Sequence, residues 1–143
     1  MTPSPTLPGL ADCTATELLQ LYRSGQASPV EATRAVLARI DTLNPTLNAF
    51  CLVAQESALQ SARDSEARWQ KFRQGGKPCG ELDGVPVSIK DLILTRGMPT
   101  LRGSHTVDAS QPWEVDAPAT ARLREAGAVI LGKTTTPEFG CKG

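Results

Sequence analysis

A lysine and two carboxylates lie around one short predicted strand and are the residues of this chain best suited to chemistry. Aliphatic and polar residues alternate through positions 85–89, which predicts a strand with two different faces. The polar face carries Ser88 and ends at Lys90, where the chain enters a loop. Asp83 and Asp91 flank the strand, and Asp91 fits a cap or turn residue. Taken alone, such a lysine is usually a solvated surface charge.

Two blocks of sequence carry a resemblance that changes this interpretation. The first is Asp83-Gly-Val-Pro-Val-Ser-Ile-Lys-Asp91, followed by Gly97-Met-Pro-Thr100 and Gly103-Ser104. The second is Asp116-Ala-Pro-Ala-Thr-Ala-Arg-Leu-Arg-Glu-Ala-Gly-Ala-Val-Ile-Leu-Gly-Lys-Thr134, followed by Pro137-Glu138-Phe139-Gly140. In this order the blocks resemble the amidase signature family, to which the N-terminal helical part is more loosely similar.

The resemblance implies an α/β fold in which helices flank a mixed sheet, as in the N-terminal part of an amidase signature fold. It also implies amide-bond hydrolysis by a Ser–Ser–Lys triad without a metal or organic cofactor. Lys90 matches the lysine, which would act as base on a bridging serine that activates the nucleophilic serine. Both serines belong to a Gly/Ser-rich signature, and residues 1–143 do not contain it. We therefore expect a partial amidase domain, with a helical part at about 13–74 and an α/β part at about 81–143, that is inactive alone.

Two other functions stay open at this stage. Within the family, the alternative is the amidase subunit of a glutamyl-tRNA amidotransferase, which moves ammonia from glutamine to a misacylated tRNA. Outside it, the chain could be a non-catalytic interaction fragment. The gene sequence beyond Gly143 would separate these, because a Gly/Ser-rich signature there supports an enzyme and a stop codon supports a remnant. The expected partner is a small-molecule amide, and a homo-oligomer is compatible with this function.

Composition argues against several other classes of protein. The 15 basic and 15 acidic residues balance, so there is no electrostatic footprint for nucleic acid or an anionic membrane. No apolar run has the length of a membrane span, and the first residues lack the pattern of a signal peptide, so we expect a cytoplasmic location. Four widely spaced cysteines and a single histidine, His105, predict free thiols and no zinc site.

Three further motifs are weaker candidates for chemistry. Residues 127–134 match the phosphate-binding pattern Gly-x4-Gly-Lys-Thr, but apolar residues typical of a buried strand separate the glycines. We therefore predict no nucleotide site at Lys133. Ser104 and His105 are adjacent, so their side chains would point apart and form a poor nucleophile–base pair. Glu138 is interpreted as structural.

The remaining pattern predicts the elements that position these residues. An irregular arm is expected over residues 1–12. Capping boxes at Thr14 and Ser28 predict two helices, the first ending at Gly25 and the second at Asn44-Pro45. Residues 48–53 fit either a strand or a link to the next helix.

The third and fourth helices follow from spacing and from an expected cap. The third helix has a core-facing stripe of Ala58, Ala62, Ser65, Trp69 and Phe72. The fourth would be capped by Asp116, would turn Ala119, Leu123 and Ala126 inward, and would end at Gly127. A buried strand at 128–131 then completes a crossover unit with the strand at 85–89.

Overall fold

The computed structural model describes residues 9–141 of the chain. Within these residues, four α-helices, three strands and two short 3-10 helices, marked η, follow one another along the chain. Their order is η1 Leu10–Asp12, α1 Ala15–Ser24, α2 Pro29–Leu47, β1 Phe50–Val53, α3 Gln55–Arg73, β2 Pro86–Lys90, α4 Pro118–Glu125, β3 Val129–Thr134 and η2 Glu138–Gly140. Of the expected irregular arm, residues 1–8 lie outside the described residues.

Capping boxes begin α1 and α2, as the sequence predicted. The Thr14 hydroxyl accepts from the backbone N–H of Glu17 at 3.3 Å, and the Glu17 carboxylate accepts from the Thr14 N–H at 2.7 Å. Ser28 makes the same reciprocal contacts in α2. Each cap satisfies N–H groups that the helix cannot, which typically stabilises a protein by about 1 kcal/mol. Gly25 ends α1 in the left-handed conformation, also as predicted.

The prediction that α2 ends at Asn44-Pro45 is wrong. The helix continues through Pro45 to Leu47 and ends at Asn48, which is left-handed. Pro45 has no N–H for the carbonyl of Asp41, so this last turn forms with one helical bond fewer. The Asn44 side chain also bonds the backbone of Phe50 twice, donating to its carbonyl at 3.1 Å and accepting from its N–H at 2.8 Å. These bonds fix the turn from α2 into β1.

The three strands form a mixed sheet in the order β1-β3-β2. β1 runs antiparallel to β3, and β2 runs parallel to β3 with Lys90 in register with Thr134. The parallel pair is joined through α4, which confirms the predicted crossover unit. β1 lies in the predicted helical part and pairs with β3 of the predicted α/β part, so both parts contribute to one sheet.

Helices cover both faces of the sheet. On one face, Val129 and Leu131 of β3 pack against α2 and α3, whose core residues are Val30, Leu37, Ile40, Ala58 and Ala62. On the other, Ile89 and Ile130 pack with Met98 and with Leu123 of α4. Burial of such side chains from water is the main term that stabilises the fold. The predicted fold class, a mixed sheet flanked by helices, is confirmed.

The stripe predicted on α3 is part of the core. Ala58, Ala62, Ser65 and Trp69 are buried. The Trp69 ring lies 6.1 Å from the Tyr22 ring and 5.6 Å from the partly buried Phe72 ring, centre to centre. These aromatic residues therefore join α1 to α3.

The prediction for the start of α4 is wrong in two respects. Ala117 is the N-cap and makes no capping side-chain bond. The Asp116 carboxylate instead accepts from the backbone N–H of Arg96 at 2.7 Å and from Nε of Arg124 at 3.0 Å. Thr120 is the buried residue of α4, and Leu123 packs against the core as predicted, whereas Ala119 is exposed. Pro118 begins the helix one residue too late for Asp116 to cap it.

Candidate active site

Lys90 is the last residue of β2, and its side chain is exposed. The preceding residue, Ile89, is buried on the opposite face, as the alternation of the strand requires. Just after the lysine, the Asp91 N–H donates to the Thr134 carbonyl at 2.8 Å and the Ile93 N–H donates to the Lys90 carbonyl at 3.0 Å. The backbone on both sides of Lys90 is therefore fixed while the amine is free to meet another group.

The Asp91 side chain points into the protein, away from the face of the sheet on which Lys90 lies. It is only 4% exposed, and its carboxylate accepts from the Leu101 N–H at 3.3 Å. The same oxygen, Oδ1, lies 3.5 Å from Nζ of Lys133, and the Asp91 carbonyl accepts from the Arg102 N–H at 2.9 Å. Asp91 is thus the turn residue that the sequence predicted, and it also forms a buried ion pair that the sequence did not indicate.

Lys133 is the buried cation of the site. Its side chain is fully buried, and Nζ donates to Oγ1 of Thr100 at 2.6 Å and to the carbonyl of Ile93 at 2.9 Å. Burial lowers the pKa of the Lys133 ammonium, while the Asp91 carboxylate acts in the opposite direction. The only sequence feature that could have indicated its burial is its place just after the apolar residues 128–131. The structure then pairs it with the buried Ile89 of β2.

The same geometry bears on the phosphate-binding pattern. Residues 129–134 form β3, and the apolar residues between the two glycines are buried in the sheet. The Lys133 ammonium, which would bind phosphate in such a motif, is enclosed by the loop that follows β2. Most of the 127–134 pattern is thus the strand β3 and not an open phosphate-binding loop.

Cys51 of β1 lies beside this buried pair. Its thiol donates to the Lys133 carbonyl at 3.4 Å. Burial raises the pKa of the Cys51 thiol, and the nearby Asp91 carboxylate raises it further. All four cysteines are free, as predicted.

Asp83 belongs to a separate cluster at the start of β2. It is 1% exposed and accepts from the Ser65 hydroxyl at 2.5 Å and from Arg68 through Nε at 2.7 Å and Nη2 at 2.8 Å. The Trp69 indole N–H donates to its carbonyl at 3.0 Å. Asp83 and Asp91 therefore have different partners, and Asp83 ties the start of β2 to α3.

The adjacent Ser104 and His105 do not act on each other. Ser104 is buried, and its hydroxyl donates to the Glu138 carboxylate at 2.7 Å, whereas His105 is exposed. The contact places Glu138 as an anchor for the loop that carries Ser104, in keeping with its interpretation as structural. Because Ser104 is committed to a carboxylate, it lacks the arrangement of an activated nucleophile.

Metal ligation and membrane insertion find no support within residues 9–141. Nowhere in this range do three or more His, Cys, Asp or Glu side chains converge as metal ligands would. None of the helices described there is both long enough and apolar enough to cross a membrane.

The described residues form a mixed α/β fold, and Lys90 of the first sequence block ends one of its strands. Comparison with known proteins shows the family to which the chain belongs. The Amidase family pattern matches residues 31–143. The chain belongs to the amidase signature family, as its two sequence blocks indicated. Its N-terminal helical part is included in this match from the first turn of α2 onward.

Named relatives agree with this assignment. Over 130 residues, or 91% of this chain, it is 42% identical to a glutamyl-tRNA(Gln) amidotransferase subunit of Myxococcus xanthus and 44% identical to the subunit of the same name of Thermobifida fusca. It covers 26% and 25% of those proteins, so it spans about a quarter of the length of the curated relatives it matches.

Solved structures show the same fold. A bacterial aryl acylamidase of the amidase signature family superposes with a TM-score of 0.82 at 29% identity, over 92% of this chain and 26% of that one. The peptide amidase of Stenotrophomonas maltophilia superposes with a TM-score of 0.79 at 31% identity, over 90% of this chain and 26% of that one.

Proposed function

We propose that this chain supplies the catalytic lysine of an enzyme that hydrolyses a carbon–nitrogen amide bond, and that Lys90 is that lysine. The observation that supports the proposal is the position of Lys90 in the family block: its backbone is fixed at the end of β2 while its amine is exposed. Lys90 takes a proton from a bridging serine, which takes one from the nucleophilic serine that attacks the amide carbonyl. Both serines come from sequence outside these 143 residues.

The contacts of the two lysines favour Lys90 over Lys133 as the base. A lysine ammonium has three donors, and those of Lys133 face Thr100, Ile93 and Asp91. These contacts enclose the Lys133 ammonium, so it cannot approach a serine that lies outside the described residues. The Lys90 side chain is exposed and can meet such a serine.

A second candidate is the amidase subunit of a glutamyl-tRNA amidotransferase. It is favoured by the curated relatives, which carry that name at 42% and 44% identity. In this case the same Lys90 chemistry releases ammonia from glutamine, and partner subunits hold the tRNA. The neutral charge of the chain agrees with this division. A non-catalytic role remains the outcome if Lys90 proves dispensable.

The experiment uses the polypeptide encoded by the complete gene that carries this sequence. We expect Lys90→Ala and Lys90→Arg both to abolish release of ammonia from amides, because arginine stays protonated and cannot act as a base. Lys71→Arg, at an exposed position on α3, is the matched control and should keep wild-type turnover. Circular dichroism should be the same for all variants.

Two results decide the proposal. If Lys90→Arg keeps its turnover within about tenfold of wild type, a difference of only ~1.4 kcal/mol in the barrier, Lys90 is a binding or structural charge and the proposal is wrong. The substrate separates the two candidates. Turnover of glutamine but of no other amide supports the amidotransferase, and turnover of aliphatic or aromatic amides supports a stand-alone amidase.

A further inference from the structure

The buried Lys133 needs a physical reason for its position. A lysine removed from water loses several kcal/mol of hydration, and such a residue persists only when its charge is paired and its donors are satisfied. Here the three acceptors are the hydroxyl of Thr100, the carbonyl of Ile93 and the carboxylate of Asp91. All three belong to residues 91–100, the segment that directly follows Lys90. We call this segment the lysine loop.

The lysine loop is also bonded to α4 and to the segment that leads into it. The Gly97 N–H donates to the Trp113 carbonyl at 2.8 Å, and the Leu94 carbonyl accepts from the Ala117 N–H and the Thr120 hydroxyl, both at 2.9 Å. Those bonds do not reach β3.

Other bonds of the lysine loop are local. The Met98 N–H donates to the Thr95 carbonyl, and the Thr95 hydroxyl donates to the Ile93 carbonyl at 3.1 Å. The Asp91 N–H bond to Thr134 holds the first residue of the loop to β3. Lys133 attaches two more residues of the loop to β3. These are Ile93, which is 40 residues before Lys133 in the sequence, and Thr100, which is 33 residues before it.

We propose that Lys133 is a positioning residue for Lys90: by binding Asp91, Ile93 and Thr100 it fixes the lysine loop to β3 and so sets the direction in which Lys90 leaves the sheet. This rests on the proposed function, in which Lys90 is the catalytic base. β2 and β3 are neighbours, with Ile89 in register with Lys133. Successive residues of a strand point to opposite faces, so the two lysines lie on opposite sides of the sheet. Lys133 therefore acts through the backbone and does not touch the reacting atoms.

A base must be held within fractions of an ångström of the proton it takes, so a loose lysine loop lowers turnover more than it lowers substrate binding. Replacing Lys133 with methionine keeps the length of the apolar part of the side chain and removes both hydrogen bonds and the ion pair. In the complete polypeptide we expect Lys133→Met to lower kcat by about a hundredfold and to leave KM within about threefold. Thr100→Val removes one acceptor and should lower kcat by about tenfold at most.

Hydrogen exchange provides a readout that does not depend on catalysis. Lys133→Met should increase the exchange of amides in residues 91–102, among them those of Leu101 and Arg102 that bond Asp91. Amides of α2 and α3 should keep their protection, which shows that the variant is folded. Lys71→Met removes an exposed lysine from α3 and is the control for loss of one positive charge.

Each outcome decides a separate statement. Faster loop exchange together with a lower kcat supports the proposal. Unchanged loop exchange, or faster exchange with kcat within about threefold of wild type, overturns it, and in the second case Lys133 has only a structural role. If Lys133→Met does not fold, Thr100→Val gives the same comparison of exchange and kcat. If Lys90→Arg is fully active, the proposed function fails, and the exchange data still decide whether Lys133 fixes the lysine loop.

Discussion

Replacement of Asp83 by alanine should strongly destabilise the fold. The Asp83 carboxylate, buried at the start of β2, accepts one bond from Ser65 and two from Arg68. The chain also contains a closely matched control: Asp12 and Arg39 form a two-bond pair of the same residue types at 2.5 and 3.1 Å. The two pairs differ in exposure, because the Asp83 side chain is 2% exposed and the Asp12 side chain is 47% exposed.

The magnitude follows from that difference. Hydrogen bonds to a charged group each stabilise a protein by about 1.5–3 kcal/mol, and loss of one partner from a buried pair costs about 3–5 kcal/mol. Arg68 is 46% exposed and can regain water, which reduces the loss, whereas Ser65 is fully buried and its hydroxyl would have no acceptor. We therefore expect Asp83→Ala to lower the free energy of unfolding by about 3–4 kcal/mol. Asp12→Ala should lower it by much less, because both side chains of that pair are about half exposed and water replaces the lost bonds.

Urea unfolding followed by Trp69 fluorescence measures both values, since Trp69 is 3% exposed and bonds the Asp83 carbonyl. The other tryptophan is removed in a Trp113→Phe background. Adding Ser65→Ala to Asp83→Ala should restore about 1 kcal/mol or more, because it removes the unpaired buried hydroxyl. Equal losses for Asp83→Ala and Asp12→Ala would refute the argument that burial decides the strength of these pairs.

Two more outcomes are expected. Under the proposed function both triad serines lie outside these 143 residues, so this segment alone should hydrolyse no simple amide in an ammonia-release assay. Turnover above that of a Lys90→Ala control would contradict this. Because burial lowers the pKa of Lys133 from 10.5, the folded chain binds fewer protons than the unfolded chain just below about pH 10.5. In a Cys51→Ser background, the stability of wild type relative to Lys133→Met should therefore rise as the pH rises toward about 10.5 in urea titrations, and a flat difference would exclude this titration.

The parts of the fold that the sequence predicted are those set by local contacts. The capping boxes at Thr14 and Ser28 are each formed by residues three apart, and Gly25 is selected by its own backbone conformation. The alternation through 85–89 needs only one buried and one exposed face. Such signals are complete within a few residues, so no tertiary information is needed to interpret them.

The wrong predictions involve contacts made outside the helix concerned. Next to Pro45, the Asn44 side chain bonds the backbone of Phe50 beyond the end of α2. Asp116 is drawn away from the start of α4 by Arg96, which is 20 residues earlier in the chain. In both cases the local rule was sound, and a contact that the sequence does not show offset its cost.

Lys133 shows the same limit at the candidate site. Lysine is among the residues least often fully buried, so its type argues for a solvated surface position. Its burial depends on acceptors brought together by the pairing of β2 with β3, and only the structure shows that pairing in register. The family blocks located Lys90 correctly at the end of a strand, whereas its catalytic role stays a prediction.

The environments of the two lysines separate two requirements that a catalytic amine must meet. Direction comes from the backbone, and the described residues supply it through the ladder bond of Asp91 and the contacts of Lys133 with the lysine loop. Exclusion of water from the amine is the second requirement, and the Lys90 side chain is exposed. Under the proposed function, the residues that carry the two serines must also cover this surface. Changes in the lysine loop would then alter the position of the amine, and changes in the covering residues would alter its contact with water.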